Sequence, residues 1–412
     1  MIGDFEEHMD DDHLPSRRSI LYGGGALFAW SFMPKYAHAA ASNMDKRFVA
    51  IILRGALDGL LAVPPVGDPN YASLRPTVVL PKTGLNAGLK LPNTNFFVLH
   101  PALKNLSALY NSGHALIFHS IATSYRERSH FDGQHILESG YTSVRLNDTG
   151  WLNRALQNLP QGANVAPPVN GLNLGVFKPL ILRGSAPVLG WSPKVSSLPI
   201  LDGLVGPLYN NTIRPDISTA LTNGAATLKL ASSSIDVSKL KGMQISAAGA
   251  GNLLAQSDGP RIAALAFDGW DTHSNEAVAG GGLAATLAEL DGAIGLLQST
   301  MSSVWNQTAI LLMTEFGRTA AQNGTGGTDH GTATVAFLIG GAVKGGRVVS
   351  NWPGLASKNL YAGRDLYPTS DLRSVIKGVL NQHLGIDKSA LESVVFPGSL
   401  TAAPITKETL VV

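Results

Sequence analysis

The residue types able to do chemistry fall in a few short clusters. Gly326-Gly327-Thr328-Asp329-His330-Gly331 closes a run of glycines on an adjacent carboxylate and imidazole. Glycines at those places let the backbone turn tightly just before the strand-like run at 335–339, aiming both side chains out of the end of a sheet. Such a pair can hold a metal or exchange a proton. The same residues also fit a polar turn in which Asp329 caps its own backbone and His330 is merely exposed. Asp271 and His273, two apart in Gly269-Trp270-Asp271-Thr272-His273, project to one side of an extended segment, a spacing at which both reach one cation. Their alternative is an N-capping loop for the helix that follows.

Ser129 precedes helix-compatible residues in Arg128-Ser129-His130-Phe131-Asp132. Backbone N–H groups and the dipole at a helix start stabilise an anion, so a hydroxyl there suits attack on a phosphate or sulfate ester. A plain N-cap, with Asp132 at the capping-box position, is compatible with that role. His130 and His135, taken singly, read as hydrogen-bonded or exposed rather than as ligands. Glu315 and Arg318, in Thr314-Glu315-Phe316-Gly317-Arg318-Thr319, could orient metal ligands, contact an anion or form a structural ion pair.

Stretches of buried-strand character must position these groups. Residues 47–53 form a nearly continuous apolar run suited to a parallel sheet, and Asp58-Gly59 follows it. Open parallel sheets hold ligands at the carboxyl ends of their strands, so Asp58 is placed either for chemistry or for an Asp-Gly turn. Residues 64–94 are rich in Pro, Gly and Asn and carry little legible chemistry. Apolar residues at helical spacing over 103–110 and a strand at 115–118 begin a strand-helix rhythm, with a short helix starting at Gly150-Trp151. Residues 160–254 read as an insertion or cap over one sheet edge. Strands follow at 262–267 and 309–313, with a helix between them whose Leu283, Leu287, Leu290, Ile294 and Leu297 repeat at three- and four-residue spacing. A last helix spans 371–384, where His383 would favour the C-terminal dipole.

With 412 residues, 44% of them hydrophobic, the chain can bury a substantial core in one large domain or two. A formal charge of +2 without a Lys/Arg-rich run disfavours a nucleic-acid partner. The absence of cysteine excludes disulfides, a thiol nucleophile and thiolate ligands, leaving oxygen and imidazole for any metal. Ser16-Arg17-Arg18-Ser19-Ile20-Leu21, an apolar stretch over 21–33 and Ala37-His38-Ala39 read as a twin-arginine export signal over residues 1–39, ahead of a single mature domain at 40–412. The apolar stretch is too short and glycine-rich for a stable membrane span. The acidic, histidine-containing residues before it would leave with the signal. Export of this kind carries folded proteins, often because a cofactor is acquired in the cytoplasm.

Leu53-Arg54-Gly55 with Asp58-Gly59-Leu60, the Ser129-His130 motif, Gly150-Trp151-Leu152, the Asp271/His273 loop, the Glu315/Arg318 loop and Gly327-Thr328-Asp329-His330-Gly331 occur in order along the mature chain. As a set they resemble the bacterial DUF1501 family, exported proteins grouped with the alkaline phosphatase and sulfatase superfamily. The resemblance implies an alkaline phosphatase-like three-layer α/β sandwich with a mainly parallel sheet and a metal centre at its strand ends. It implies Asp58, Asp271, His273, Asp329 and His330 as ligands of zinc, manganese, magnesium or calcium, and Ser129 as nucleophile; His130 and Arg318, from the neighbouring motifs, are expected as further catalytic groups. Thr332 stands where another histidine is common, and no late histidine motif is evident, which admits a one-metal or degenerate site. The expectation is a periplasmic or secreted metal-dependent hydrolase of a small phosphate or sulfate ester, exported by the twin-arginine translocase. Its rival is a non-catalytic binding or assembly protein of the same fold.

Overall fold

The computed structural model describes residues 45–160, 171–192 and 239–412, save Lys82, Asn147, Val176, Asp258, Val278 and positions 406–407. The expected export signal and much of the 160–254 insertion lie outside the described residues.

In the first half the principal elements are β1 (Arg47–Leu53), α1 (Gly59–Ala62), α2 (Tyr71–Leu74), β2 (Leu89–Leu91), β3 (Thr94–Leu99), α3 (Lys104–Asn111), β4 (Ala115–Ala122), α4 (His130–Ser139), α5 (Trp151–Gln157), β5 (Gly171–Leu174) and β6 (Val188–Trp191). They continue with α6 (Gly242–Leu254), β7 (Ile262–Phe267), α7 (Gly282–Thr300), β8 (Thr308–Met313), β9 (Thr334–Ile339), β10 (Arg347–Val349), β11 (Ser370–Asp371) and α8 (Leu372–Leu384).

β1 sits at the heart of the sheet because its sequence, RFVAIIL, offers an apolar side chain to both faces. All seven residues are buried. Val49, Ile51 and Leu53 enter one hydrophobic cluster, while Phe48, Ala50 and Ile52 enter the other, as the two-residue period of a strand requires. The nine-stranded sheet runs β10-β4-β9-β8-β1-β7-β5-β6, with β11 beside β4. β8, β1, β7, β5 and β6 are parallel, and β10 and β11 pair parallel with β4. Among the described strands of this sheet, β9 alone runs antiparallel to its neighbours, β4 and β8. Because it is reversed, the loop entering β9 reaches the same edge as the loops leaving β1, β4, β7 and β8. Asp329 and His330, which precede a strand, therefore meet groups that follow one.

Helices cover both faces, giving three layers. α3, α6 and α7 pack into the first cluster through Leu106, Leu109, Met243, Leu253, Leu283, Leu287, Leu290, Ile294 and Leu297. α5 and α8, with Leu137 of α4, pack into the second through Trp151, Leu152, Val375, Ile376, Val379 and Leu380. Burying one such side chain contributes roughly 1.5–3 kcal/mol, so the stripe of α7 outweighs any single hydrogen bond in fixing the element behind the Asp271 loop. β5, β6 and α6 come from the 160–254 region. The two strands prolong the sheet beyond β7, and the helix belongs to the core.

Two readings are corrected. His383 does not serve the dipole of α8 as a cation: it is buried, its Nε2 donates to the Arg47 carbonyl at 2.8 Å, and burial pushes its pKa down to about 4, so it is neutral. The 64–94 excursion is not chemically silent, since its Arg75 reaches back to Asp58. Among the described residues no helix is long and apolar enough to cross a membrane.

Candidate metal centre

At the carboxyl edge of the sheet, three loops bring three imidazoles and one carboxylate together. His130, the first residue of α4, places Nε2 3.0 Å from Nε2 of His330 and 3.3 Å from Asp271 Oδ2. His273 Nε2 lies 3.0 Å from His330 Nε2 and 3.0 Å from Asp271 Oδ1. His330 Nε2 is 3.1 Å from Asp271 Oδ1.

Each ring is turned by what its other nitrogen meets. His130 Nδ1 faces Glu315 Oε1 at 2.8 Å, His330 Nδ1 faces the Arg128 carbonyl at 3.0 Å, and His273 Nδ1 faces Asp329 Oδ1 at 3.3 Å. Carbonyls and ionised carboxylates only accept, so each Nδ1 carries a proton, and in a neutral ring the Nε2 lone pair points inward. Lone pairs cannot abut at 3.0 Å without a cation or a proton between them. Donors about 2.0–2.1 Å from a tetrahedral ion stand about 3.3 Å apart, close to the separations seen here. His130, Asp271 and His330 each offer one ligand atom, and the three atoms lie within 4.8 Å of one another. The donor set, three oriented imidazoles and a carboxylate, fits zinc or manganese.

The charges agree. Burial opposes ionisation of Glu315, but hydrogen bonds from His130, Gln134 and the Gly55 N–H hold its carboxyl below the usual range. For Asp271 burial is again overcome, here by the hydrogen bond and charge of Arg318. A hydrogen bond from Asn323 leads in lowering Asp329. The Glu315 hydrogen bond raises the pKa of His130, whereas burial lowers that of His330. The side chains of Asp271 and His273 are 43% and 48% exposed, so the mouth of the centre opens to solvent.

Local sequence explains the close approach of these loops. A Cβ on Gly327 would lie 2.4 Å from backbone atoms of His273 and Ser274, and one on Gly331 would lie 2.3 Å from the Arg318 carbonyl group. These glycines let the Asp-His loop pass against the two neighbouring loops. Arg128, just before Ser129, holds φ at +61, a strained value that accompanies its carbonyl bond to His330. Its guanidinium pairs with buried Asp365 at 2.7 Å. Glu276 ties the 271–273 loop to the 327–330 loop by accepting from the hydroxyls of Thr272 and Thr328. Burial, then the charge of Asp58, pushes Glu276 up to about 7.

The expected site residues divide. His130, Asp271, His273 and His330 converge, with Asp329 behind His273. Arg318 is buried, bonded through NH1 to Asp271 at 2.6 Å and through Nε to the Thr328 hydroxyl at 3.1 Å, so it positions Asp271. Ser129 is the N-cap residue of α4, but its side chain makes no capping bond, so the capping box with Asp132 is not formed. His135 binds Asp148 at 2.6 Å, and Asp58 is paired with Arg75. Sequence reading missed His130 as a ligand because its place depends on β4 lying beside reversed β9. Arg75 carried no local signal at all.

Among solved structures the chain is similar to Ps i-CgsB, crystallised with a neocarrahexaose, at 11% identity over 87% of this chain and 77% of that one, with a TM-score of 0.39. It is similar to a protein in the alkaline phosphatase superfamily from Vibrio parahaemolyticus at 10% identity, over 81% and 72% of the two chains, with a TM-score of 0.32. For the phosphonate monoester hydrolase of Agrobacterium radiobacter the values are 12%, 83%, 74% and 0.30. No curated protein matches. A family model described as a protein of unknown function, DUF1501, matches residues 123–395, a span that holds every residue of the converging cluster and its Glu315 and Arg318 supports; the chain belongs to the DUF1501 family.

Proposed function

We propose that the protein is an exported, metal-dependent hydrolase of phosphate or sulfate esters, with His130, Asp271, His273 and His330 holding one divalent ion. The observation that carries this reading is the convergence of three Nε2 lone pairs on Asp271, each ring oriented by an acceptor on Nδ1. An ion held there would supply Lewis acidity toward an ester oxygen and would ease ionisation of a nearby hydroxyl. Ser129 is the nucleophile in this reading. It stands between Arg128, whose carbonyl turns His330, and His130, and its hydroxyl is not spent on capping α4. The free N–H groups at the start of that ten-residue helix favour the anionic group of the ester. Arg318 and Glu315 keep Asp271 and His130 in place. Folding around the ion before export through the twin-arginine route, to the periplasm or beyond, accords with the paired arginines Arg17 and Arg18.

The test joins elemental analysis of protein purified after cytoplasmic folding with hydrolysis of aryl phosphate and aryl sulfate esters under added manganese or zinc. About one metal per chain, ester cleavage and its loss in Ser129→Ala support the reading. Full activity in Ser129→Ala removes the nucleophile. A metal-loaded protein silent toward both esters supports the binding-protein alternative.

A further inference from the structure

Asp58, expected as a ligand at the end of β1, is not open to a metal. Both of its carboxylate oxygens are held by Arg75, Oδ2 by NH1 and Oδ1 by NH2 at 3.1 Å, in a pair whose side chains are 1% and 0% exposed. The other guanidinium N–H groups go to main-chain carbonyls, Nε to Ala320 at 2.9 Å and NH2 to Thr319 at 2.7 Å. Four oxygens from two segments far apart in sequence therefore converge on one buried cation. Thr319 and Ala320 follow directly on Arg318, which holds Asp271, so this chamber adjoins the histidine centre. Glu276 Oε2 and the Tyr71 hydroxyl are buried there without a partner, within the electrostatic reach of Asp58 and Arg75. An all-oxygen cradle around a positive charge has the donor chemistry of a hard divalent ion.

We propose that Arg75 is a tethered cation standing where a second metal ion would otherwise bind, and that vacating its guanidinium converts the cradle of Asp58 and the Thr319 and Ala320 carbonyls, with Glu276 beside it, into a site for magnesium or manganese. The guanidinium keeps its charge at every working pH and cannot be lost to a chelator. Its presence leaves the histidine centre to operate with one ion, in keeping with the missing late histidine. The inference stands on the geometry of this chamber and holds whether or not the histidine centre cleaves esters.

The experiment compares manganese bound per chain in wild type and in Arg75→Ala after equilibration with about 1 mM MnCl2 and removal of loose metal, so that occupancy of the histidines cancels in the difference. One further manganese in the variant is expected. In parallel, its melting midpoint should rise by about 5 °C or more on adding manganese, beyond any rise in wild type, and the Asp58→Asn/Arg75→Ala double variant should show neither effect. An Arg75→Ala protein that folds and gains no metal overturns the proposal, as does a second manganese in wild type. If Arg75→Ala is insoluble in metal-poor medium, expression with added manganese becomes the readout. Soluble protein recovered in the single but not the double variant supports the proposal, and recovery in neither overturns it.

Discussion

Replacing Glu315 with glutamine separates the charge of this carboxylate from its shape. Oε1 accepts from His130 Nδ1 at 2.8 Å, the Gly55 N–H at 2.9 Å and Gln134 Nε2 at 3.1 Å, while Oε2 accepts from the Thr314 hydroxyl at 2.9 Å. A glutamine carbonyl keeps the first three donors satisfied, and the Thr314 hydroxyl can turn to accept from the new amide. Only the charge is lost. A hydrogen bond to a charged group contributes about 1.5–3 kcal/mol against about 0.5–1.5 kcal/mol for a neutral one, so the His130 contact weakens by roughly 1 kcal/mol. Less electron density then reaches Nε2. Mutating such an outer partner of a ligand typically costs 10–100-fold in metal affinity, about 1.4–2.7 kcal/mol. Glu315→Ala differs in kind, because it strips all four donors of their acceptor, the Gly55 N–H and the Thr314 hydroxyl among them fully buried, at roughly 1–3 kcal/mol for each buried one, and threatens the fold itself. The assay is competition for zinc against a chromophoric chelator, run beside a urea unfolding curve. Glu315→Gln should keep its unfolding midpoint and lose affinity at least tenfold. Affinity within twofold of wild type would refute the claim that Glu315 tunes a ligand.

Three other outcomes follow from the same structure. Asp58→Ala leaves the Arg75 guanidinium buried and unpaired, which should cost about 3–5 kcal/mol in chemical unfolding while leaving metal at the histidines unchanged. Gly331→Ala should empty the centre while the sheet survives, read as lost metal with retained far-UV circular dichroism, because its Cβ would meet the Arg318 main chain at 2.3 Å. His383 has its folded pKa lowered to about 4, so its contribution is fully present above the unfolded value near 6.5 and is lost as pH falls toward 4. That loss is roughly 3 kcal/mol, and His383→Gln, which can still donate to the Arg47 carbonyl, should flatten the stability profile between pH 6.5 and 4 by about one proton.

The sheet was legible wherever apolar runs were continuous. Residues 47–53, 262–267, 309–313 and 335–339 are strands because their side chains fill both faces, and the leucine spacing of α7 marks its buried stripe. The direction of β9 could not be read, since an apolar run carries no sign of which way it pairs. That reversal brings His330 to His130 and Asp271. The Asp271/His273 and Asp329/His330 pairs were visible through their spacing and flanking glycines. Arg75 was hidden because its partner Asp58 is 17 positions away across a Pro- and Gly-rich segment, and nothing local distinguishes a buried arginine from a surface one. His383 was misread because helix position alone suggested an exposed end, whereas packing against β1 buries it.

X-ray absorption at the metal edge of wild-type protein, purified after cytoplasmic folding, reads whether the three histidines and Asp271 hold an ion. About one metal per chain is expected, with a nitrogen and oxygen shell near 2.0–2.1 Å and the outer-shell scattering of about three imidazoles. Protein that retains no metal, or a metal whose shell lacks imidazole, would contradict it.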